Sequence, residues 1–153
     1  MLKILRDQAL VTAGIAQRSS HAVNEAIVSE GMVDRRIYLI EKGSVRVSGR
    51  VTLADGRHIQ PGLCDLGPGQ IFGELSLFDS GSRSASVTAL EDVEVLEFEA
   101  LALASYFDQH PEKGYVVLKH LLKVLSTRLR QTDRRWEQLF AWGLKEHGID
   151  QHL

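Results

Sequence analysis

The middle of the chain consists of short apolar runs that polar residues and glycines interrupt. Around Val45 and Val47, apolar residues alternate with polar ones, a period of two that is typical of a strand with one buried face. Asp55-Gly56 is a dipeptide that favours a tight hairpin turn between two strands. Several such runs between residues 24 and 98 predict an antiparallel barrel or jelly roll.

Helical periodicity flanks this strand region on both sides. Residues 1–20 place leucine and alanine at helical spacing, which predicts a short amino-terminal helical segment. Residues 100–107 predict a second short helix, and Pro111 is well placed in the first turn of a long one. We expect the long helix to end near Trp142, because a glycine such as Gly143 often ends a helix. The predicted organisation is a helical segment (1–20), a strand domain (21–110), a long helix (111–142) and a tail (143–153).

Large apolar residues recur along the long helix at alternating steps of four and three. This heptad seam predicts that the helix pairs with a copy of itself and forms a homodimer. The seam consists of Leu118, Leu122, Leu125, Leu129, Thr132, Trp136 and Leu139. In the alternative, the stripe packs only on the protein's own barrel. We favour the dimer because the helix has a second apolar face for the barrel, formed by Val116, Val117, Leu121 and Val124.

Bulk properties narrow the class of protein. The chain has 153 residues and a formal net charge of −2, so it fits one domain with a real core and has no global charge that would attract nucleic acid or an anionic membrane. The single cysteine, Cys64, excludes an internal disulfide and fits a reducing compartment. No apolar run approaches the ~18 residues that a spanning helix needs, and the amino terminus lacks a signal-peptide core. These features predict a cytoplasmic protein.

The candidate chemistry is concentrated in residues 67–87. Gly73-Glu74-Leu75 can open one short helical turn, whose first amides suit an anion, and the glycine lets a ligand approach the backbone closely. Arg83 offers a planar fork of donors that matches phosphate oxygens, whereas the Glu74 carboxylate accepts a hydrogen bond from a hydroxyl. A phosphate cradle beside a hydroxyl acceptor describes a site for a sugar phosphate.

Two short stretches in this region resemble a known family. Phe72-Gly73-Glu74-Leu75-Ser76-Leu77 and Arg83-Ser84-Ala85-Ser86-Val87 resemble the phosphate-binding cassette of cyclic nucleotide-binding domains, here residues 69–87. The family includes the catabolite activator protein, the regulatory subunits of protein kinase A and the cyclic nucleotide-gated channels. The resemblance implies a mainly β fold with flanking helices. It consists of an eight-stranded antiparallel β-roll (jelly roll), a short amino-terminal helix, a further short helix and a long carboxy-terminal helix.

The resemblance also implies what the cassette residues do. Glu74 would take the ribose 2′-hydroxyl and Arg83 the cyclic phosphate. Nearby backbone amides would complete the shell, in the stretches that contain Gly73, Leu75, Ser84 and Ala85. The ligand would be cAMP, with cGMP as the alternative.

Two residues of the long helix are candidates for contact with the base. Thr132 and Asp133 match, by resemblance, the place where the bacterial activator offers two hydroxyls to adenine. Asp133 departs from that pattern, because a carboxylate accepts from the adenine amine and can equally take the two adjacent donors of guanine. Ser84 can likewise contact the phosphate or a guanine amine. The base therefore stays open, and the alternative for both helix residues is an ordinary surface position.

Other classes of function have less support. His58 is the one histidine among the predicted strand runs between residues 24 and 98, whereas metal-binding jelly rolls use clustered histidines, so we expect no metal and no enzyme activity. A basic cluster on the long helix could indicate nucleic acid; it contains Arg128, Arg130, Arg134 and Arg135. DNA-binding relatives continue with a helix-turn-helix domain, but only about ten residues follow Trp142 here, so we expect no DNA binding.

These observations favour a sensor domain that binds a cyclic nucleotide. The ligand would shift the population of positions of the long helix, and an effector domain or a partner protein would read that shift. The alternative is a nucleotide-independent scaffold for protein interactions that keeps the same roll.

Overall fold

The computed structural model describes residues 1–53, 55–79 and 81–146. Two short helices, α1 (Leu2–Leu5) and α2 (Gln8–Thr12), precede the strands, and α3 (Ala100–Gln109) and α4 (Pro111–Glu146) follow them. The strands are β1 (Ala16–His21), β2 (Ala26–Val28), β3 (Arg36–Lys42), β4 (Val45–Ser48), β5 (Val51–Thr52), β6 (His58–Ile59), β7 (Gly62–Leu66), β8 (Ile71–Phe72), β9 (Ser86–Ala89) and β10 (Val93–Glu99). The chain divides into two compact units, Met1–Gly114 and a second that begins at Tyr115.

Eight of the described strands form two antiparallel sheets, which confirms the predicted β-roll. The first sheet has the order β1-β10-β3-β8 and the second the order β2-β9-β4-β7. Buried side chains of both sheets form one core, among them Tyr38, Ile40 and Val95 from the first sheet and Val45 and Val87 from the second. Strands β5 and β6 form an additional two-stranded ribbon around the predicted Asp55-Gly56 turn.

Strand β3 lies in the middle of this arrangement and is buried on both faces. Tyr38 and Ile40 point into the core between the sheets, whereas Ile37 and Leu39 are buried on the opposite face. On the flanks of the first sheet, α2 lies against β1 and α3 against β10. A strand covered on both sides reads as a continuous apolar run, which is why β3 lacks the alternation seen around Val45.

Two predicted boundaries were wrong. The amino-terminal helical segment is two short helices that end before Gly14 (φ 72°), and β1 begins at Ala16, within the range assigned to that segment. The polar sequence of β1 gives little strand signal, and its pairing with β10 decides its conformation. At the other end, α4 continues through Gly143, since a glycine inside a helix costs only about 1 kcal/mol.

Parts of some predictions lie outside the described residues. They are Ala54 of the predicted hairpin turn, Ser80 of the cassette and residues 147–153 of the predicted tail. Within the described ranges, no helix combines the length and the apolar character that crossing a membrane requires.

Candidate functional site

The cassette begins with a sharp turn at the end of β8. Gly73 has a left-handed backbone (φ 75°), and Glu74–Leu77 then form one turn of 3-10 helix, as the sequence predicts. A Cβ atom on Gly73 would lie 2.7 Å from the carbonyl oxygen of Arg36 and 2.7 Å from Nη1 of Arg83. The turn therefore needs glycine both for its backbone angle and for close packing against the chain's own arginine.

Arg83 is buried, with 7% of its surface exposed, and is held at several points. Its amide donates to the carbonyl of Met32 (2.8 Å), and its own carbonyl accepts from the amide of Gly31 (2.9 Å). In the side chain, Nη1 donates to Oγ of Ser76 (2.9 Å) and to the Gly73 carbonyl (3.4 Å). The guanidinium is thus oriented by the same turn that Gly73 opens.

The other terminal nitrogen of Arg83 faces the start of β3. Nη2 donates to Oδ2 of Asp34 at 2.8 Å and to the carbonyl of Arg36 at 2.6 Å. Asp34 also accepts from the hydroxyl of Tyr38 (3.2 Å), whose ring is stacked on Phe72 at 4.7 Å. Burial, helped by the nearby carboxylates of Asp34 and Glu97, raises the pKa of Tyr38 to about 12, so the hydroxyl remains a donor to Asp34 at ordinary pH.

One donor of this guanidinium has no acceptor. Nε of Arg83 is buried and makes no hydrogen bond with any described residue. Elsewhere in the same sheets, Arg46 uses Nε and Nη2 together to hold both oxygens of Asp65, at 2.8 Å each. On the corresponding edge of Arg83, Nη2 already donates to Asp34 and to the Arg36 carbonyl, and only Nε is unused. Because an unsatisfied buried donor is costly, Nε fits an oxygen of an incoming anion such as a phosphate.

The remaining predicted site residues divide between the two units. Glu74 directly follows Gly73 and is buried, with 4% exposed, while Leu75 and Ser84 are exposed and Ala85 is half-buried. The structure thus brings Gly73, Glu74 and Arg83 together in one cassette. Thr132 and Asp133 are exposed residues of α4 in the second unit, and the Thr132 hydroxyl donates to the Arg128 carbonyl of its own helix (3.0 Å). Their contact with a base stays a prediction.

A second charged group lies beside Asp34. Arg36 Nη1 donates to Oε2 of Glu97 at 3.0 Å, and its Nε lies 3.9 Å from Oδ1 of Asp34. Glu97 is buried and also accepts from Nε2 of Gln17 (3.1 Å) and from the Ser19 hydroxyl. Burial raises the pKa of Glu97, but the hydrogen bonds from Ser19 and Gln17 and the charge of Arg36 outweigh it, so the pKa lies below its ordinary value.

Sequence reasoning missed Asp34, Arg36 and the part that Ser76 plays. The available signal was weak: a charged triplet, Asp34-Arg35-Arg36, immediately before the apolar run of β3. Asp34 lies 49 residues from Arg83, and Arg36 lies 61 residues from Glu97, so only the register of the strands brings them together. Among the described residues, no group of three or more histidine, cysteine or acidic side chains is arranged to hold a metal ion.

Comparison with known proteins agrees with this geometry. A model of the cyclic nucleotide-binding domain family matches residues 19–110. The CRP-like cAMP-activated global transcriptional regulator of Mycobacterium tuberculosis is 35% identical over 113 residues, which are 74% of this chain and 47% of that protein. The cyclic AMP receptor protein of Thermus thermophilus is 34% identical over 117 residues, 76% of this chain and 50% of that protein. The chain thus spans about half the length of the curated relatives it matches.

A solved structure gives the same result for the fold. The catabolite activator protein of Thermus thermophilus superposes with a TM-score of 0.66 at 29% identity, covering 88% of this chain and 59% of that one. The family match includes both β-sheets except for the first residues of β1, and it contains Glu74 and Arg83. This chain belongs to the cyclic nucleotide-binding domain family.

Proposed function

We propose that this chain binds a cyclic mononucleotide inside its β-roll and works as the sensor domain of a regulator. The observation that carries the proposal is the buried Arg83 guanidinium, which is fixed by the cassette and has an unpartnered Nε. A cyclic phosphate oxygen supplies the acceptor that this nitrogen lacks.

Each cassette residue has a role in this proposal. Arg83 takes the phosphate, helped by backbone amides in the stretches with Gly73, Leu75, Ser84 and Ala85, and Glu74 takes the ribose 2′-hydroxyl. A charge-assisted hydrogen bond of this kind contributes roughly 1.5–3 kcal/mol. Micromolar affinity corresponds to about 8 kcal/mol, so burial of the ribose and the base has to supply much of the rest.

We favour cAMP over cGMP as the ligand. The names of two similar proteins, a cAMP-activated regulator and a cyclic AMP receptor protein, support that choice. Thr132 and Asp133 of α4 are the proposed contacts with the base, and α4 changes position when the ligand binds. We further propose that two copies pair through the seam of α4 and that an effector domain or partner protein reads the change.

A nucleotide-independent interaction scaffold is the second candidate. One observation favours it. Nη2 of Arg83 already forms a 2.8 Å ion pair with Asp34, so the charge of Arg83 has a partner within the roll without a ligand. Retention of both Glu74 and Arg83 argues for the binding role.

Calorimetry with cAMP, cGMP and 5′-AMP on the full chain separates the two candidates. We expect cAMP to bind with micromolar affinity, cGMP more weakly and AMP weakest. Arg83→Leu should weaken cAMP binding at least tenfold, because it removes a charge-assisted contact. Arg46→Leu, which deletes an exposed arginine of β4, should leave binding unchanged. Absence of cAMP binding by the unaltered protein supports the scaffold, and equal affinity of Arg83→Leu and the unaltered protein contradicts the assigned site.

A further inference from the structure

The β1–β2 corner, residues 21–25, carries the chain from the first sheet to the second. Its main chain is held at the end of β9, where the Asn24 amide donates to the Ala89 carbonyl and the Ala89 amide donates to the Glu25 carbonyl, both at 2.9 Å. The backbone of Asn24 is left-handed (φ 67°), a conformation that residues other than glycine seldom adopt. Side chains that fasten this tight corner therefore help to hold the two sheets together.

The imidazole of His21 lies between this corner and the first sheet, and its side chain is only 15% exposed. On one side of the ring, Nδ1 lies 2.7 Å from Oε1 of Glu25, whose Oε2 accepts from the Ala22 amide (2.9 Å). On the other side, Nε2 lies 3.2 Å from Oγ of Ser19 and 3.7 Å from Oε1 of Glu97. One ring therefore joins the corner to the buried carboxylate of β10.

The protons available for these contacts select the charged form of the ring. An ionised carboxylate only accepts hydrogen bonds, so the proton between Nδ1 and Glu25 belongs to the imidazole. The single proton of the Ser19 hydroxyl is already donated to Glu97. The two atoms that Nε2 faces are therefore both acceptors, and Nε2 contacts them favourably only when it also has a proton. A neutral ring has one N–H group and leaves one of its two sides without a donor.

The charges around His21 favour the same form. Four carboxylates face the ring or the cavity of about 360 Å³ beside it: Glu25 of the corner, Asp92 of the turn between β9 and β10, and Glu94 and Glu97 of β10. Two cations lie nearby, but Lys42 pairs with Glu94 at 3.4 Å and Arg36 pairs with Glu97 at 3.0 Å. Hydrogen bonds from His21 and from the Ala22 amide hold the pKa of Glu25 below its ordinary value. These surroundings have more negative than positive charge, which stabilises an imidazolium.

We propose that His21 is a proton-dependent clasp that fastens the β1–β2 corner to β10. With both ring nitrogens protonated, it donates to Glu25 on one side and to Ser19 and Glu97 on the other. Histidine is the side chain that changes charge between about pH 5 and pH 8. As the pH rises through this range, the ring loses one proton and one of its two sides loses its donor. The folded state then loses the stabilisation that the charged ring provides, so the clasp holds best in slightly acidic solution.

The test compares the full chain with its His21→Gln variant by urea denaturation at about pH 5.5 and about pH 8, near the two ends of the histidine range. We expect His21→Gln to lower the urea midpoint at least roughly twice as far at the acidic pH, because only the charged ring donates on both sides. His58→Gln is the matched control, since His58 is an exposed histidine whose ring contacts the Thr52 hydroxyl (3.0 Å). Its effect should be the same at both pH values. An equal effect of His21→Gln at the two pH values overturns the proposal.

NMR of the imidazole N–H protons in the unaltered chain is a second test, which does not require that the variant folds. At about pH 5.5, where histidine is charged, both ring N–H protons of His21 should give signals, because their hydrogen bonds protect them from exchange with water. Only one should remain at about pH 8. The exposed ring of His58 should show no such protection on both nitrogens. A single protected N–H of His21 at about pH 5.5, or none, overturns the proposal.

Discussion

Arg83 is held in position by the protein before any ligand is present. Ser76 and the Gly73 carbonyl fix Nη1, and Asp34 and the Arg36 carbonyl fix Nη2, so the side chain does not have to be ordered when an anion arrives. Fixing a long side chain costs free energy, and a site that has met this cost on folding binds more tightly.

Gly73→Ala should harm the fold and the site together. The new Cβ would lie 2.7 Å from a main-chain oxygen that the sheet fixes and 2.7 Å from the Arg83 guanidinium, at a backbone angle (φ 75°) that alanine disfavours. We expect a loss of roughly 2–4 kcal/mol in the free energy of unfolding, from backbone strain and overpacking combined, and weaker cAMP binding. Urea denaturation and calorimetry measure the two effects.

Gly14→Ala is the matched control for that substitution. Gly14 has nearly the same backbone angle (φ 72°), but a Cβ there meets no atom within 4 Å. The Gly14→Ala variant should lose only roughly 1–2 kcal/mol in the free energy of unfolding, which is the cost of a left-handed backbone for alanine. Its affinity for cAMP should stay unchanged. Equal losses in the two variants would show that the close contacts of Gly73 do not matter.

The first sheet combines an apolar core with a polar cluster on the same strands. Glu97 is paired directly with Tyr38 of β3 and with Gln17 of β1, on the face that Val95 and Ile40 fill with apolar side chains. A buried carboxylate is tolerated there because Gln17, Ser19 and Arg36 donate to it. This cluster ties the edge strand β1 to β3, and through Arg36 to the neighbourhood of Asp34.

The lowered pKa of Glu97 should make the protein less stable in acid. The pKa of Glu97 lies below the ordinary glutamate value in the fold, so its ionised form stabilises the folded state at pH values above that ordinary value. This contribution disappears as the pH falls through the lowered pKa. Glu97→Gln should therefore lose roughly 1–3 kcal/mol near pH 7, the range for hydrogen bonds to charged groups, and less at about pH 3. Urea denaturation at both pH values tests this.

Glu94→Gln provides the comparison, because Glu94 and Lys42 form an exposed pair on the same strands. Such pairs contribute at most about 1 kcal/mol, so the stability of Glu94→Gln should stay close to that of the unaltered protein at both pH values. If Glu97→Gln lowers the free energy of unfolding by the same amount in acid as at neutral pH, the prediction is contradicted. Glu97 would then stabilise the fold through its packing and not through its charge.

At the scale of the whole molecule, the described part of the long helix exposes a stripe of large apolar side chains. Leu122, Leu129, Trp136 and Leu139 are each more than half exposed on the described part of α4. Large apolar side chains aligned on one helix face are typical of an interaction surface, and their heptad spacing is that of a helix pair. A second copy of the chain is the partner that we propose.

Leu129→Glu should convert the dimer to a monomer. It places a carboxylate in the middle of the seam, where the two copies would bring like charges together without water. Gln138→Glu introduces the same group at an exposed position outside the seam and should leave the dimer intact. Sedimentation velocity measures the mass of each variant. A monomeric unaltered chain, or a Leu129→Glu variant that remains a dimer, would contradict the assignment.

Local patterns were sufficient to predict the roll, the cassette and the long helix. Each of these predictions depends on residues that are close together in the chain: the alternation around Val45, the Asp55-Gly56 turn and the signature from Phe72 to Val87. The spacing of apolar residues and the residue types of a turn are both visible over such short stretches. The same holds for Glu74 and Arg83, nine positions apart on one loop. Their pairing with a sugar phosphate could be proposed because each side chain has a distinct hydrogen-bonding capacity.

Contacts between distant strands were decided only in the folded molecule. The strand state of β1, the ion pair of Asp34 with Arg83 and that of Arg36 with Glu97 depend on which strands pair and in which register. A shift of one residue would turn each of these side chains to the other face of its sheet. The electrostatic state of the site, an arginine already paired with an internal carboxylate, is therefore a property of the tertiary structure.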